Sequence, residues 1–302
     1  MKTSTPAAPP RHTPASITGP ILAWYDRHAR DLPWRAPDAT PWGVLVSEIM
    51  LQQTPVVRVL PIWDVWMARW PTPAALAAEP SGEAVRAWGR LGYPRRALRL
   101  HAAAQAIVER HNGKVPDDHA ALLDLPGIGA YTAAAVASFA YQQRHAVLDT
   151  NVRRVLARLI NGVEYPPKTQ TRAETTTAEF LLPSDPPTAA RWSVAVMELG
   201  ALVCTARSPR CVDCPVLDKC EWQLAGRPPY DGPPRKGQTY TGTDRQCRGR
   251  LLAVLRNTEG PVEKPALDIV WSDAPQRERA LDGLIADGLV DPLDDGRYAL
   301  PT

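Results

Sequence analysis

The sequence predicts an all-α protein that ends in a small α+β module. Apolar residues recur at helical spacing from Ile17 to about Leu202, and no segment in that range alternates as a strand does. A stretch rich in Pro, Gly and basic residues, 226–242, then interrupts this periodicity. The remaining residues have the pattern of helices followed by a hairpin. A chain of 302 residues is long enough for two domains, so we expect the two patterns to mark separate units.

The first sixteen residues, Met1 to Ser16, are rich in Pro, Ala and Thr and lack the continuous apolar run of a secretory signal. We predict a disordered tail at residues 1–16. Without an export signal we expect a cytoplasmic protein, associated with the nucleoid in a prokaryote, whose thiols stay reduced. No apolar run approaches the roughly 20 residues that cross a bilayer, so no membrane insertion is expected. The net charge of +3 permits an anionic partner without requiring one.

Six segments of the body place apolar residues at i, i+3 or i+4, as one buried face of a helix requires. Short connections that contain Pro or Gly separate them, such as residues 70–73, 112–116 and 182–187. The predicted helices are Trp42–Gln53, Val56–Trp70, Arg95–His111, Tyr131–Tyr141, Asn151–Ile160 and Ala189–Val203.

The C-terminal segment, 246–302, follows a predicted linker at residues 227–245. Two amphipathic patterns, Gly249–Arg256 and Gln276–Ala286, precede two short strand-like runs on either side of an Asp-Asp-Gly turn signal at 294–296. Helices followed by a hairpin predict a small winged-helix-like module. Its few arginines do not define a DNA-reading face, so docking of a protein partner is an alternative role for it.

Four of the five cysteines lie in one short segment, spaced Cys204-x6-Cys211-x2-Cys214-x5-Cys220. Four thiolates from one loop satisfy a [4Fe–4S] cluster. A four-cysteine zinc site is an alternative, although zinc knuckles usually come from two short Cys-x2-Cys pairs. Unligated, reduced thiols are the third interpretation. Cys247 lies outside the pattern and is interpreted as a free thiol.

Two carboxylates are candidates for acid and base chemistry. Glu48 is flanked by apolar residues on nearly every side within residues 44–51, and burial there would favour its protonated, proton-donating form. A lone Glu on a helix is more usually a solvated residue, and the residues alone leave both interpretations open. Asp149 precedes a helical pattern and is also suited to cap that helix.

A glycine turn, Leu125-Pro126-Gly127-Ile128-Gly129, lies between two helical segments. Gly127 and Gly129 allow a tight turn and a close approach of backbone N–H groups to another molecule, such as a phosphate. A plain helix–helix connection is the simpler interpretation of this turn taken alone.

These motifs, in this order, resemble the endonuclease III and MutY-type DNA glycosylases of the helix-hairpin-helix class, over about Ile17 to Trp222. The cysteine spacing is similar to the family's [4Fe–4S] loop, and residues 47–54, Ser-Glu-Ile-Met-Leu-Gln-Gln-Thr, are similar to the MutY signature. The resemblance implies a two-lobed fold, with an iron–sulfur cluster lobe at 17–40 and 145–226. It implies a six-helix lobe that contains the hairpin at 41–144.

The resemblance implies base-excision repair of adenine mispaired with 8-oxoguanine or guanine. Glu48 would protonate adenine at N7, and Asp149 would stabilise the sugar cation or add to it covalently. Asn151 would orient the sugar or Asp149. Tyr131, expected close to Asp149, stands where bifunctional relatives carry a lysine that forms a Schiff base. Because tyrosine cannot form one, we expect base removal without strand cleavage.

The residues that contact DNA follow from the same resemblance. Gln52, Gln53 and Tyr93 match positions that intercalate or contact the opposite strand, although Pro94 replaces a second tyrosine of the family. Trp34 and Arg35 match the segment that touches the flipped adenine. The glycine hairpin matches the DNA-binding hairpin. The expected partner is double-stranded DNA with a mispaired adenine, bound by a monomer.

Two alternatives remain, together with one departure from the family. A thymine/uracil mismatch glycosylase of the same fold would share the cluster and Tyr131, although Gln52-Gln53-Thr54 favours adenine. A non-catalytic, DNA-binding iron–sulfur protein is the alternative from another class, and the retained carboxylates argue against it. The segment after the linker is too short for the NUDIX-like domain that reads 8-oxoguanine in MutY enzymes, so we expect the preference for 8-oxoguanine over guanine to be modest or to be achieved by another element.

Overall fold

The computed structural model describes residues 13–233 and 240–302. These residues are mostly helical, with one short hairpin near the C-terminus, which confirms the predicted fold class. No helix in the described ranges has the length and apolar character to span a membrane. The helices are α1 (Pro14–His28), α2 (Pro41–Leu51), α3 (Val56–Arg69), α4 (Pro73–Ala77), α5 (Ser81–Trp88), α6 (Arg95–His111), α7 (His119–Leu123), α8 (Ala130–Tyr141), α9 (Thr150–Leu159), α10 (Arg172–Leu181), α11 (Pro186–Leu202), α12 (Glu221–Leu224), α13 (Asp244–Asn257), α14 (Lys264–Asp268) and α15 (Ala274–Ala286).

The six helices predicted in the body correspond to α2, α3, α6, α8, α9 and α11, with ends within three residues of the prediction. The largest difference is at α11, which begins at Pro186 because the Asp185 carboxylate accepts a hydrogen bond from the Thr188 amide and proline suits the first helical turn. Helices such as α4 and α7 have only five residues each, too few to show periodicity in the sequence.

The predicted N-terminal tail and linker fall partly outside the described residues. Residues 1–12 of the tail are not described, and its last residues, from Pro14, form the first turn of α1, whose Ile17 and Ile21 are fully buried. Residues 234–239 of the linker are not described either. Its last residues belong to α13, where the Thr243 hydroxyl caps the helix by accepting from the Gln246 amide.

One compact unit comprises the described residues 13–36 and 133–233. Helices α1, α9, α10 and α11 build its core around Ile21, Trp192 and Val196. The predicted iron–sulfur lobe had its boundaries at residues 40 and 145, whereas this unit takes in most of α8.

The second compact unit comprises residues 37–132 and 240–302. We predicted a separate module at 246–302, but in the structure this segment packs on the six-helix part, with α13 against α5. The physical reason is a set of hydrogen bonds that the sequence pattern does not reveal. Arg86 of α5 donates to the carbonyls of Leu255 and Thr258, and Arg256 of α13 donates to that of Val85.

The C-terminal segment orders its elements as helix, single bridge, two helices and hairpin. Strands β1 (Asp291–Pro292) and β2 (Tyr298–Ala299) pair antiparallel, and Val262 adds a bridge to Tyr298. Leu251, Leu255, Leu281 and Leu284 are buried on the facing sides of α13 and α15. The predicted hairpin after helices is therefore present, whereas the bridge at Val262 was not predicted.

Candidate active site and cysteine loop

Glu48 lies in α2, a helix whose residues from Trp42 to Met50 are all buried. The Thr40 hydroxyl caps this helix by accepting from the Gly43 amide at 3.0 Å. The Glu48 side chain is one of the few buried acidic groups, with 5% of the residue exposed. The burial expected from the apolar neighbours in the sequence is therefore present.

Tyr131 is the second residue of α8, directly after the glycine hairpin. Its hydroxyl donates a hydrogen bond of 2.9 Å to Oε2 of Glu48. The resemblance implied that Tyr131 lies close to Asp149, and its contact with Glu48 was not predicted. The Tyr131 phenol thus orients a buried carboxyl group.

The C-terminal end of α2 is held by Arg96, a buried residue of α6. Its guanidinium donates to the carbonyls of Ile49, Met50 and Gln52 at 2.8, 3.0 and 2.6 Å, and also to that of Gly92 at 3.0 Å. Burial lowers the pKa of Arg96 to about 10, which still leaves it charged at neutral pH, where helix C-terminal carbonyls favour a cation. Sequence reasoning missed this residue. Its signal was an arginine on the apolar face of a predicted helix.

The wedge residues are the three predicted to intercalate or to contact the opposite strand: Gln52, Gln53 and Tyr93. Gln53 and Tyr93 have left-handed backbone conformations, with φ of 56° and 48°. Such angles are uncommon outside glycine and cost free energy unless the surroundings impose them. Gln53 is exposed and Tyr93 is 46% exposed. The third wedge residue, Gln52, donates from Nε2 to the Thr132 hydroxyl at 3.2 Å. Gln53 and Tyr93 therefore combine a strained backbone with an exposed side chain, and both lie in the second compact unit.

The glycine hairpin connects α7 to α8, as predicted for helix-hairpin-helix geometry. Gly127 has a φ of 75°, and a Cβ there would lie 2.6 Å from Cβ of Arg99, so the fold itself requires glycine. At Gly129 a Cβ would meet no atom within 4 Å. Gly129 is exposed, so its small size leaves open space over the start of α8.

Asp149 caps the N-terminus of α9, with its Oδ1 accepting from the Val152 amide at 2.6 Å. Its Oδ2 accepts from Nδ2 of Asn151 at 2.7 Å, and Oδ1 of Asn151 accepts from Arg154 at 2.8 Å. Burial raises the pKa of Asp149 above its usual range, although these hydrogen bonds and the charge of Arg154 act in the opposite direction. The Asp149 carboxylate is thus oriented by its hydrogen bonds, caps α9 and is poorly solvated.

A glycine of α11 allows this arrangement. At Gly200 a Cβ would lie 2.7 Å from Cβ of Asn151 and 2.9 Å from its carbonyl oxygen. The Gly200 carbonyl also accepts a hydrogen bond of 2.6 Å from Arg154. Helices α9 and α11 therefore meet at a distance that only glycine permits, at the residue that orients Asp149. The sequence contained no signal for it beyond a glycine inside a helix.

The Trp34-Arg35 segment forms a 3₁₀ turn in the same unit as Asp149. Trp34 is buried, and the Arg35 guanidinium lies 3.0 Å from Oε2 of Glu198, a fully buried carboxylate. Arg30 donates to both oxygens of that carboxylate at 2.7 Å. Although burial acts to raise it, the Arg30 hydrogen bond and the Arg35 charge hold the pKa of Glu198 below its usual range. Glu198 was not predicted, and it positions Arg35.

The four predicted cluster cysteines lie in the segment after α11 and are all half-buried. Arg158 donates to the Cys204 sulfur at 3.4 Å, and Arg154 donates to the Cys204 carbonyl at 2.7 Å. Burial, with the electrostatic effect of the other three cysteines, raises the pKa of Cys214 to about 12. The four thiols are therefore close enough to interact electrostatically. The described residues nevertheless contain no group of three or more His, Cys, Asp or Glu side chains arranged to hold a metal ion.

The comparisons with known proteins agree on the family. Residues 46–178 match the HhH-GPD superfamily of base excision DNA repair proteins. The chain is 56% identical over 294 residues to an adenine DNA glycosylase from Mycobacterium tuberculosis, covering 95% of this chain and 96% of that protein. The unmatched part of this chain is shorter than residues 240–302, so the similarity includes part of the C-terminal segment.

Two solved structures share the fold. A thermostable thymine-DNA glycosylase is 28% identical, with a TM-score of 0.63 over 70% of this chain and 97% of that chain. An endonuclease III in a non-covalent complex with DNA is 23% identical, with a TM-score of 0.58 over 72% of this chain and all of that chain. The sequence identity and the fold lead to one conclusion: this chain belongs to the adenine DNA glycosylases, a family within the HhH-GPD superfamily of base excision DNA repair proteins.

Proposed function

We propose that this protein removes adenine mispaired with 8-oxoguanine or guanine and leaves the DNA strand intact. As a DNA glycosylase it cleaves N-glycosidic bonds. The observation that supports an intact DNA strand is the hydrogen bond from the Tyr131 hydroxyl to buried Glu48. It puts a phenol where strand cleavage would need an amine. A Schiff base with the sugar cannot form there, so the product is an abasic site.

Glu48 and Asp149 supply the two charges that the reaction needs. The leaving base needs a proton, and burial makes Glu48 a suitable donor to adenine N7. The sugar develops positive charge, which an oriented carboxylate stabilises, as in glycoside hydrolysis. Asp149 is oriented by Asn151 and by the Val152 amide, and its poor solvation strengthens its attraction for a cation.

The base must leave the duplex before it reaches these groups. Gln52, Gln53 and Tyr93 are proposed to fill or contact the space that it vacates, and the two left-handed residues among them keep their side chains exposed. The hairpin is proposed to bind a backbone phosphate, with Gly129 leaving room for its approach. Trp34, together with Arg35, is proposed to contact the extruded adenine.

A [4Fe–4S] cluster is proposed on Cys204, Cys211, Cys214 and Cys220. Four half-buried thiols in one segment supply the number and type of donor that such a cluster needs. When bound, the cluster would tie together the loop from 204 to 220. It takes no part in base removal.

Single-turnover excision tests the proposal on matched duplexes with A:8-oxoguanine, A:guanine, A:T, T:guanine and U:guanine pairs. We expect adenine release from the first two, loss of that release in Glu48→Gln, and strand breaks only after alkali. Strand breaks without alkali would contradict the role of Tyr131. Absence of base release from every duplex would show a DNA-binding protein without glycosylase activity.

The thymine/uracil mismatch activity remains a second candidate because one specific observation favours it. A thymine-DNA glycosylase shares the fold at 28% identity, half the identity to the mycobacterial adenine enzyme. Faster release from the T:guanine and U:guanine duplexes than from the adenine duplexes would make it the correct one.

A further inference from the structure

The C-terminal segment, residues 240–302, holds both ends of α5, the helix that leads into the predicted wedge residue Tyr93. At the N-terminal end of α5, the Gly82 amide donates to the Pro301 carbonyl at 2.6 Å, and a Cβ on Gly82 would clash with that oxygen. At the C-terminal end, Arg256 of α13 donates to the carbonyls of Val85 and Gly89. Helix α5 is thus fixed along its length by a segment far away in sequence.

Arg86 and Arg256 make a reciprocal contact. Arg86 of α5 donates to the last carbonyls of α13, while Arg256 of α13 donates to the last carbonyls of α5. Each helix C-terminus, which carries partial negative charge, therefore receives a cation from the other. Burial lowers the pKa of Arg256 to about 10, so this cation is desolvated and depends on these carbonyls.

The loop between α5 and α6, residues 89–94, is held by the C-terminal segment on both sides. Gly89, at its start, accepts from Arg256. Arg95, the first residue after the loop, lies 3.2 Å from the Asp287 carboxylate, which also pairs with Arg248 of α13. The loop contains Tyr93, whose strained, left-handed backbone leaves the ring half-exposed. A strained conformation persists only when the surrounding structure imposes it.

We propose that residues 240–302 act as a positioning element for the 89–94 loop, with Arg256 and Asp287 preorganising Tyr93 to enter the duplex during base extrusion. The inference rests on the proposed function, since it assigns Tyr93 to the opened duplex. It gives the C-terminal segment a role that requires no direct contact with DNA. On this proposal, release of either side displaces the loop, and Tyr93 then no longer replaces the stacking that extrusion removes.

The test compares Arg256→Met and Asp287→Ala with Asp295→Ala, a matched control. Asp295 is an exposed residue of the same segment that pairs with Arg297 in the hairpin turn. Single-turnover rates at saturating enzyme are measured on two duplexes: one with adenine opposite 8-oxoguanine, and one with adenine opposite an abasic site, where extrusion is already easy. A third duplex carries 2-aminopurine at the target position, and its fluorescence reports unstacking.

We expect both variants to slow excision from the A:8-oxoguanine duplex by up to about 100-fold, the cost of a misplacement of about an ångström, and to reduce the 2-aminopurine signal. The abasic duplex should be processed within about threefold of the wild-type rate, and affinity for undamaged DNA should be unchanged. Asp295→Ala should match the wild type throughout. Because Asp287 is partly exposed, its variant tests the idea even if Arg256→Met fails to fold.

Three results would overturn the inference. One is wild-type rates in both variants, and another is an equal loss on both adenine duplexes, which indicates a general defect. The third is weaker binding with a shallower salt dependence, which indicates that the segment contacts phosphates itself. Failure of the proposed function would look different, because the wild-type protein would then release no adenine from any duplex.

Discussion

Gly200→Ala is the substitution for which the structure makes the sharpest prediction. The new Cβ would lie 2.7 Å from Cβ of Asn151, 2.9 Å from its carbonyl oxygen and 3.0 Å from its carbonyl carbon. Ordinary contacts between carbon atoms are about 3.5–4.0 Å, so α9 and α11 must separate by about 0.5–1 Å. Two of the three atoms belong to the backbone, so no rotamer change relieves the clash.

Stability and activity should respond differently to this change. Overpacking costs about 1–3 kcal/mol, while alanine gains about 1 kcal/mol over glycine inside a helix, so the net loss of stability should be about 0–2 kcal/mol. The displaced residue is Asn151, whose amide orients Asp149 through a 2.7 Å hydrogen bond. A displacement of this size at a reacting group lowers the rate by about 100-fold. We therefore expect a folded protein with little excision activity.

The assay is single-turnover adenine release at saturating enzyme, together with urea unfolding and binding to undamaged DNA. Gly19→Ala is the matched control, because Gly19 is an exposed residue of α1 where a Cβ would meet no atom within 4 Å. It should gain about 0.5–1 kcal/mol of stability and keep full activity. Wild-type excision by a folded Gly200→Ala protein would refute the reasoning that the approach of α9 to α11 positions Asp149.

Three further predictions concern charges and thiols. Asp149→Asn should abolish adenine release yet keep the α9 cap. Because burial raises the pKa of Asp149, the wild type should lose stability relative to this variant in urea titrations as pH rises above about 4, the ordinary pKa of an aspartate. Glu198→Gln leaves two arginines unpaired and should cost about 3 kcal/mol at neutral pH. Since the pKa of Glu198 is lowered, that deficit should shrink as pH falls below about 4.5, as measured by chemical unfolding. Cys214→Ser should lose iron and visible absorbance, whereas a protein without a cluster would show no difference from the wild type.

Much of the fold could be predicted from the sequence, because helical periodicity is a local property. The helices α2, α3, α6, α8, α9 and α11 were visible in it, as was the hairpin around Gly127. Helices of five residues could not be predicted from the sequence, and neither could the role of the C-terminal segment. Its attachment to α5 depends on Arg86 and Arg256, which any solvated helix could carry on its surface.

The candidate site shows the same division. Local sequence pattern was enough to identify the available groups, since the apolar neighbours of Glu48 predict its burial and the position of Asp149 predicts a helix cap. The residues that hold these groups in place became known from the folded chain. Tyr131 donates a hydrogen bond to Glu48, and Gly200 leaves space for Asn151. Glu198 forms ion pairs with Arg30 and Arg35. The partners in each of these contacts are at least 49 residues apart in sequence, and a pattern within a window of one helix carries no information about such pairs.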